Sequence, residues 1–231
     1  MATTGLQQDE ALPLEIEAKL RASARVFRDL QRQEAFDGWQ VTARRSLGLR
    51  DTYWDTPDRR LARAGCTLRV REERQGDLQR AELTLKGPVP DRGRVVPGRA
   101  ASWSRTELTV PVPAGSGPHE WSQLPGAEPV IDALRGLDAL HGLRADVVLL
   151  NPRLELILQQ VGQEGSEAVL SLDEVRIEGQ PYRRRYVELE LRRGSRPALD
   201  DLVALLVERF PLRPSRQGKV TAARAWLQRR S

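Results

Sequence analysis

Leu14-Glu15-Ile16-Glu17-Ala18-Lys19-Leu20 alternates without a break: four apolar side chains fall on one face of an extended chain, and Glu15, Glu17 and Lys19 on the other. The pattern returns near the far end in Val187-Glu188-Leu189-Glu190-Leu191. Between them it recurs in Leu68-Arg69-Val70-Arg71, Leu83-Thr84-Leu85-Lys86, Arg105-Thr106-Glu107 and Arg153-Leu154-Glu155. Same-face neighbours on a strand lie roughly 6.5–7 Å apart. That spacing lets two carboxylates share one hydrated divalent cation while an ammonium beside them takes an anion. A chain made of such segments must cover one side of each strand and find surroundings for the charges on the other.

Two arrangements meet that demand. In the first, the sheet packs its apolar face on helices and shows the charges to water, where cross-strand ion pairs contribute a fraction of a kcal/mol each. In the second, the sheet closes into a barrel that holds the charges inside, with helices covering its apolar outside. Periodicity alone favours the first. Two features favour the second. The E-x-E and R-x-R pairs set like charges side by side, where alternating signs would serve a solvated face. Several strongly apolar helices also need an apolar surface to pack on. An interior of this kind suits a ligand with many negative charges and a divalent metal. A short polyphosphate fits: arginine forks grip its oxygens, and metal bridges carboxylate to phosphate.

Composition narrows the reading. The 231 residues suffice for one domain with a proper core; residues 1–12 read as a flexible tail and 13–231 as a single domain. With 39% hydrophobic and 30% charged residues, no apolar run of transmembrane length and no secretory signal, a cytoplasmic protein without a membrane partner is expected. One cysteine, Cys66, excludes a disulfide framework, and His119 and His141 are too few for a histidine-rich zinc centre. Any metal should be a hard cation on carboxylates, magnesium or manganese. The net charge of +5 suits an anionic ligand without identifying it. Only three of the 37 basic residues are lysines: Lys19, Lys86 and Lys219. If arginine has replaced lysine wherever either cation serves, these three mark places that need a compact ammonium; chance survival is the alternative. The runs Arg183-Arg184-Arg185 and Arg229-Arg230 read as solvated surface.

Along the chain, Ser23 caps a helix to about Phe36, followed by strands at 49–54, 67–72, 81–86, 104–110, 143–150, 153–160, 168–177 and 186–191. Further helices are expected at 129–141, at 198–209 and from Ser215 onward. Pro57 among its aspartates reads as a turn, and Asn151-Pro152 separates two strand candidates. Short connections imply antiparallel order. The expected class is α+β, with about eight short strands.

In order along the chain, these residues resemble the CYTH superfamily, the triphosphate tunnel metalloenzymes. Its E-x-E-x-K signature is Glu15, Glu17 and Lys19, and the match continues through Tyr53-Trp54-Asp55-Thr56-Pro57, Leu68–Arg71, Leu83–Lys86, Arg105–Glu107, Leu172-Asp173 and Val187–Leu191. The resemblance implies an eight-stranded antiparallel tunnel with surrounding helices. It also implies hydrolysis of a triphosphate, commonly inorganic tripolyphosphate, with magnesium or manganese. Glu15, Glu17, Glu188 and Glu190 would take metal, helped by Asp173 and Glu107. Lys19, Arg69, Arg71, Lys86, Arg105 and Arg153 would bind phosphate, and Lys19, Lys86, Lys219 and Glu188 would serve catalysis. The family places Ser-Lys at the start of its last helix. Here Ser215-Arg216-Gln217-Gly218-Lys219 leaves the choice between Arg216 and Lys219, and the rarity of lysine favours Lys219.

An adenylate cyclase or a thiamine or nucleoside triphosphatase is the near rival, with Trp54, Trp103 or Trp121 available to stack a ring. A non-catalytic polyphosphate or RNA binder is the rival from another class; no aromatic-studded platform supports it, so no specific nucleic acid is expected. Homodimer assembly is left open.

Overall fold

The computed structural model describes residues 14–88, 103–162, 165–215 and 217–230. The tail expected at 1–12 lies outside the described residues. The side chains of Glu15 and Arg105 lie outside them as well.

Among the described residues, one antiparallel sheet carries the fold. Its strands are β1 (Leu14–Arg21), β2 (Ala35–Phe36), β3 (Trp39–Asp55), β4 (Thr67–Gln75), β5 (Leu78–Lys86), β6 (Trp103–Pro111), β7 (Arg144–Gln160), β8 (Glu167–Ile177), β9 (Arg183–Arg193) and β10 (Arg213–Pro214). The strand order is β10-β1-β6-β5-β4-β3-β7-β8-β9, with β2 beside β3 and a further pairing of β1 with β9. This corrects the expected eight-stranded closed tunnel: the sheet has ten strands, and β1 is shared among three partners. Leu14–Glu17 pair with β6, Glu17–Arg21 with β9, and Leu20 and Arg21 with β10. The physical cause lies at the edge of β1. Pairing with β6 stops at Glu17, so the backbone groups beyond it need other partners. Arg213-Pro214 supply them, and the Ser215 amide donates to the Lys19 carbonyl at 2.9 Å.

The two longest strands also differ from expectation. Residues 39–48 were not expected to be extended, yet β3 runs 17 residues from Trp39. Positions 42–46 are exposed on both faces, so no alternation announces a strand there. Pairing with β7 along almost the whole length makes it one. Asn151-Pro152, expected to separate two strands, sits inside the single strand β7, also 17 residues long. Pro152 has no amide hydrogen, and the ladder between β7 and β8 skips Asn151 and Pro152. The pairing of both residues with β3 keeps the strand continuous.

The helices are α1 (Ala24–Gln31), α2 (Arg60–Arg63), α3 (Pro118–Trp121), α4 (Glu128–Gly136), α5 (Arg196–Arg209) and α6 (Lys219–Gln228). Ser23 caps α1 as expected, its hydroxyl accepting from the Val26 amide at 3.3 Å. The helix stops at Gln31, before Phe36. Arg44 donates to the carbonyls of Gln31 and Gln33 beyond its last turn. Phe36 then turns through Gly38 (φ 75°) into the β2–β3 hairpin.

Two clusters cover the apolar face. Helices α1 and α5 pack on β1, β7, β8 and β9 through Leu30, Leu199 and Leu206 against Leu20, Leu156, Leu170 and Leu189. Helix α4 and Trp121 pack on β4 and β5 through Ile131 and Leu134 against Leu68, Leu83 and Leu85. A third cluster joins Tyr53, Leu149, Val175 and Tyr186 to Val220 and Ala223 of α6. By register these strand residues share the face that carries the charges, so α6 covers one end of that face.

Candidate functional site

Residues directly opposite in antiparallel strands share a face. Starting from β1, Glu17 lies opposite Glu190 and Lys19 opposite Glu188. On the neighbouring strands Asp173 faces Arg153, Asp51 faces Arg71, and Tyr53 faces Arg69. Thr67 of β4 faces Lys86, which faces Glu107 on β6. Arg105 faces Glu15, which returns the sequence to β1. Each strand residue singled out in the sequence therefore has its Cα on one face of the sheet. Lys219, the first residue of α6, joins them from the covered end.

At that end charges meet out of water. The Lys219 ammonium donates to Asp173 Oδ2 at 2.5 Å and Glu188 Oε2 at 2.6 Å. Lys19 Nζ lies 2.9 Å from Glu188 Oε1 and 3.6 Å from Glu17 Oε1. Arg153 donates to both Asp173 oxygens, at 2.7 and 2.9 Å, and to Glu188 Oε2 at 3.1 Å. Asn151 Nδ2 adds a bond of 2.8 Å to Asp173 Oδ1. Asp173 is 0% exposed, and Glu17, Lys19, Glu188 and Lys219 are all buried. Ions taken out of water persist only when paired, and here each is. Burial pushes the Glu188 carboxyl up, but Lys19, Lys219 and Arg153 outweigh it and hold the group well below its usual range. Asp173 is lowered in the same way, its burial outweighed by Arg153 and Lys219. Burial draws the Lys219 ammonium down despite the opposing pull of those two carboxylates.

Further round the face, Arg71 holds Asp51 in a two-pronged pair at 2.6 and 2.8 Å, with Arg69 Nη1 at 3.8 Å from Asp51 Oδ2. Lys86 Nζ lies 2.7 Å from Glu107 Oε2. All three lysines of the chain are thus buried on the charged face or at its end. Sequence reasoning missed Asp51 and Asn151. Asp51 had a readable signal, because it occupies a position whose neighbours two residues away, Leu49 and Tyr53, are apolar. Asn151 was hidden by Pro152.

Asp51 gives a prediction for pH. Burial raises its carboxyl, and Arg71 and Arg69 outweigh that and hold it far below the usual range. A carboxylate depressed in the folded state stabilises it fully above the unfolded value of about 3.9, and loses that contribution as pH falls further. Asp51→Asn therefore lowers unfolding free energy by about 2 kcal/mol at pH 7. The gap to wild type should narrow as pH drops from about 4 towards 2. Urea titrations at several pH values check both.

The expected metal ligands do not all converge. Glu107 is with Lys86, Glu190 Oε1 lies 3.1 Å from Arg192 Nη1, and Asp173 and Glu188 are held by lysine and arginine. Glu15 and Arg105 have side chains outside the described residues, and Arg216 lies outside them altogether. Among the described residues, no group of three or more histidines, cysteines or carboxylates is placed to hold a metal. The donor chemistry nonetheless fits a hard cation. Glu17 and Glu190 face each other with oxygen donors alone, and magnesium commonly takes only one or two carboxylates, leaving its other positions to water and substrate phosphate. Trp54 and Trp121 prove to be packing: their rings meet edge to face at 5.2 Å in the α4 cluster. The side chain of Trp103 is outside the described residues.

The CYTH domain family matches residues 13–222. The chain belongs to that family. No curated protein matches this CYTH chain by sequence. Solved structures do. A protein from Hippeastrum, proposed as an adenylyl cyclase and described as having a dominant triphosphatase activity, is 17% identical, with a TM-score of 0.63 over 91% of this chain and 95% of its own. A protein of Bacillus halodurans proposed as an adenylate cyclase is 22% identical, with a TM-score of 0.59 over 90% and 96%. One from Pyrococcus horikoshii OT3 is 18% identical, with a TM-score of 0.55 over 89% and 96%. At these identities the likeness shows the fold. Among the described residues no helix is long and apolar enough to cross a membrane.

Proposed function

We propose that this CYTH protein hydrolyses a triphosphate on the charged face of its sheet, with inorganic tripolyphosphate as substrate and pyrophosphate and phosphate as products. The observation that carries this reading is the buried contact set of Lys19, Glu188, Lys219, Asp173 and Arg153. It holds three cations together where only a compact polyanion could draw them away from their carboxylates. Arg69, Arg71, Lys86 and Arg105 extend the grip along the face, their forks matched to phosphate oxygens. Glu17 and Glu190, with Glu15 next along β1, would hold magnesium or manganese. When bound, the metal neutralises phosphate oxygens and lowers the pKa of water.

The chain's own part is an exchange of partners. In the free protein Lys19 and Lys219 hold Glu188 in its charged, weakly basic state. Once those ammonium groups turn to a phosphoryl group, Glu188 regains basicity within the site and can take the proton of an attacking water. Arg153 and Lys219 then face the charge that spreads over the equatorial oxygens, so rate comes from position and electrostatics.

Phosphate release from tripolyphosphate, ATP and thiamine triphosphate, each with magnesium and with manganese, tests the reading. Tripolyphosphate should exceed the other two by tenfold or more. No phosphate from any of them with either metal overturns it; cyclic AMP from ATP would move the assignment to a cyclase.

A further inference from the structure

Beside the end of the sheet covered by α6 lies a cavity of about 590 Å³, within the range of small-ligand sites. Its wall contains Arg21, Arg184 and Arg213, the aromatic rings of Tyr182 and Trp226, and no carboxylate. Arg21 and Arg213 stand directly opposite each other across β1 and β10. Like charges in that position destabilise a sheet. Neither makes an ion pair with a described carboxylate; nor does Arg184, whose guanidinium instead lies 5.7 Å from the Tyr182 ring centroid. The two other arginines in the wall, Arg183 and Arg185, both share the carboxylate of Glu174, which also serves Arg176. One anion for three guanidiniums leaves the rim strongly positive. The run at 183–185, read from the sequence as solvated surface, is exposed at Arg183 and half-buried at Arg184 and Arg185, and it lines this concavity.

We infer that this cavity is a second anion site, whose wall includes none of the Lys19, Arg153, Asp173, Glu188 and Lys219 contact set, and that it takes the phosphate groups of a small oligophosphate ligand. Its arginines come from β1, β9 and β10, so their forks approach one volume from several directions, as a group with several phosphate oxygens requires. Trp226 and Tyr182, in edge contact with centroids 5.5 Å apart, give the same volume an aromatic side. A free inorganic chain and a nucleoside polyphosphate share the recognised chemistry. The inference does not rest on hydrolysis at the charged face.

Calorimetric titration of the intact protein with tripolyphosphate and with ATP, in EDTA without divalent metal, tests it. Wild type should show an event that weakens tenfold or more in R21S/R213S and, on a different strand, in R184S. Metal-dependent turnover should stay within twofold of wild type in both variants. With the like-charge pair removed, the unliganded Tm of R21S/R213S should equal or exceed that of wild type. Comparable weakening for both ligands places recognition in the phosphates alone. Tighter binding of ATP that W226F abolishes adds a base stacked on the aromatic side. Retention of the event in either arginine variant overturns the inference, as does binding of a single-stranded RNA oligonucleotide without a second event for either small ligand. If turnover at the charged face were absent altogether, the arginine-dependent event would still appear.

Discussion

Glu188→Ala should lower kcat for tripolyphosphate by roughly 10²–10⁴-fold, the range for losing a positioned acid–base group. The reason is specific to its surroundings. Glu188 is the carboxylate on which Lys19, Lys219 and Arg153 all converge. Without it those cations are freer to grip phosphate, so KM should stay level or fall while kcat collapses. That split separates loss of a reacting group from loss of binding. Glu188→Gln keeps the shape and should show the same kcat deficit, so misfolding cannot account for it. Steady-state phosphate release at saturating magnesium, with circular dichroism on the same samples, checks the outcome. Wild-type kcat in both variants would remove Glu188 from the mechanism.

The second large effect is on stability. Asp173→Ala should cost about 3–5 kcal/mol, the range for removing one partner of a buried ion pair. Asp173 is wholly buried and accepts from Arg153, Lys219 and Asn151 at once. Its removal leaves a guanidinium and an ammonium short of a counter-charge. Lys219→Met in the same chain should recover part of the loss, giving a coupling above about 1 kcal/mol in a double-mutant cycle. Urea unfolding with an unchanged slope is the measurement. A cost under about 1 kcal/mol, or strictly additive variants, would show that the contacts around Asp173 do not stabilise the fold.

The site was legible where the chain alternates. Glu17, Lys19, Arg69, Arg71, Lys86, Glu107, Arg153, Glu188 and Glu190 could be placed on one side of their strands from spacing alone, because successive side chains of an extended backbone point to opposite faces whatever lies beside them; Asp173 entered only through the family resemblance. Lys219 was legible through composition, as one of three lysines among 34 arginines. Asp51 and Asn151 were not found. Residue type and spacing do not disclose that Asp51 meets Arg71 or that Asn151 reaches Asp173; those contacts depend on which strands become neighbours. The long strands β3 and β7 escaped for a related reason. Their unpatterned parts, 42–46 and Asn151-Pro152, are held extended by each other and carry no local signal of it.

Sequence alone thus determined which side chains are apolar-facing and which are charged-facing, and the antiparallel α+β class, since both follow from short-range backbone geometry and short connections. Tertiary structure decided the strand count, the three-way sharing of β1, the early end of α1, the entry of Lys219 between Asp173 and Glu188, and the arginine-lined cavity beside α6. Each of these joins residues distant along the chain. An ion pair or a backbone ladder between such residues exists only once strand order and register have brought them together.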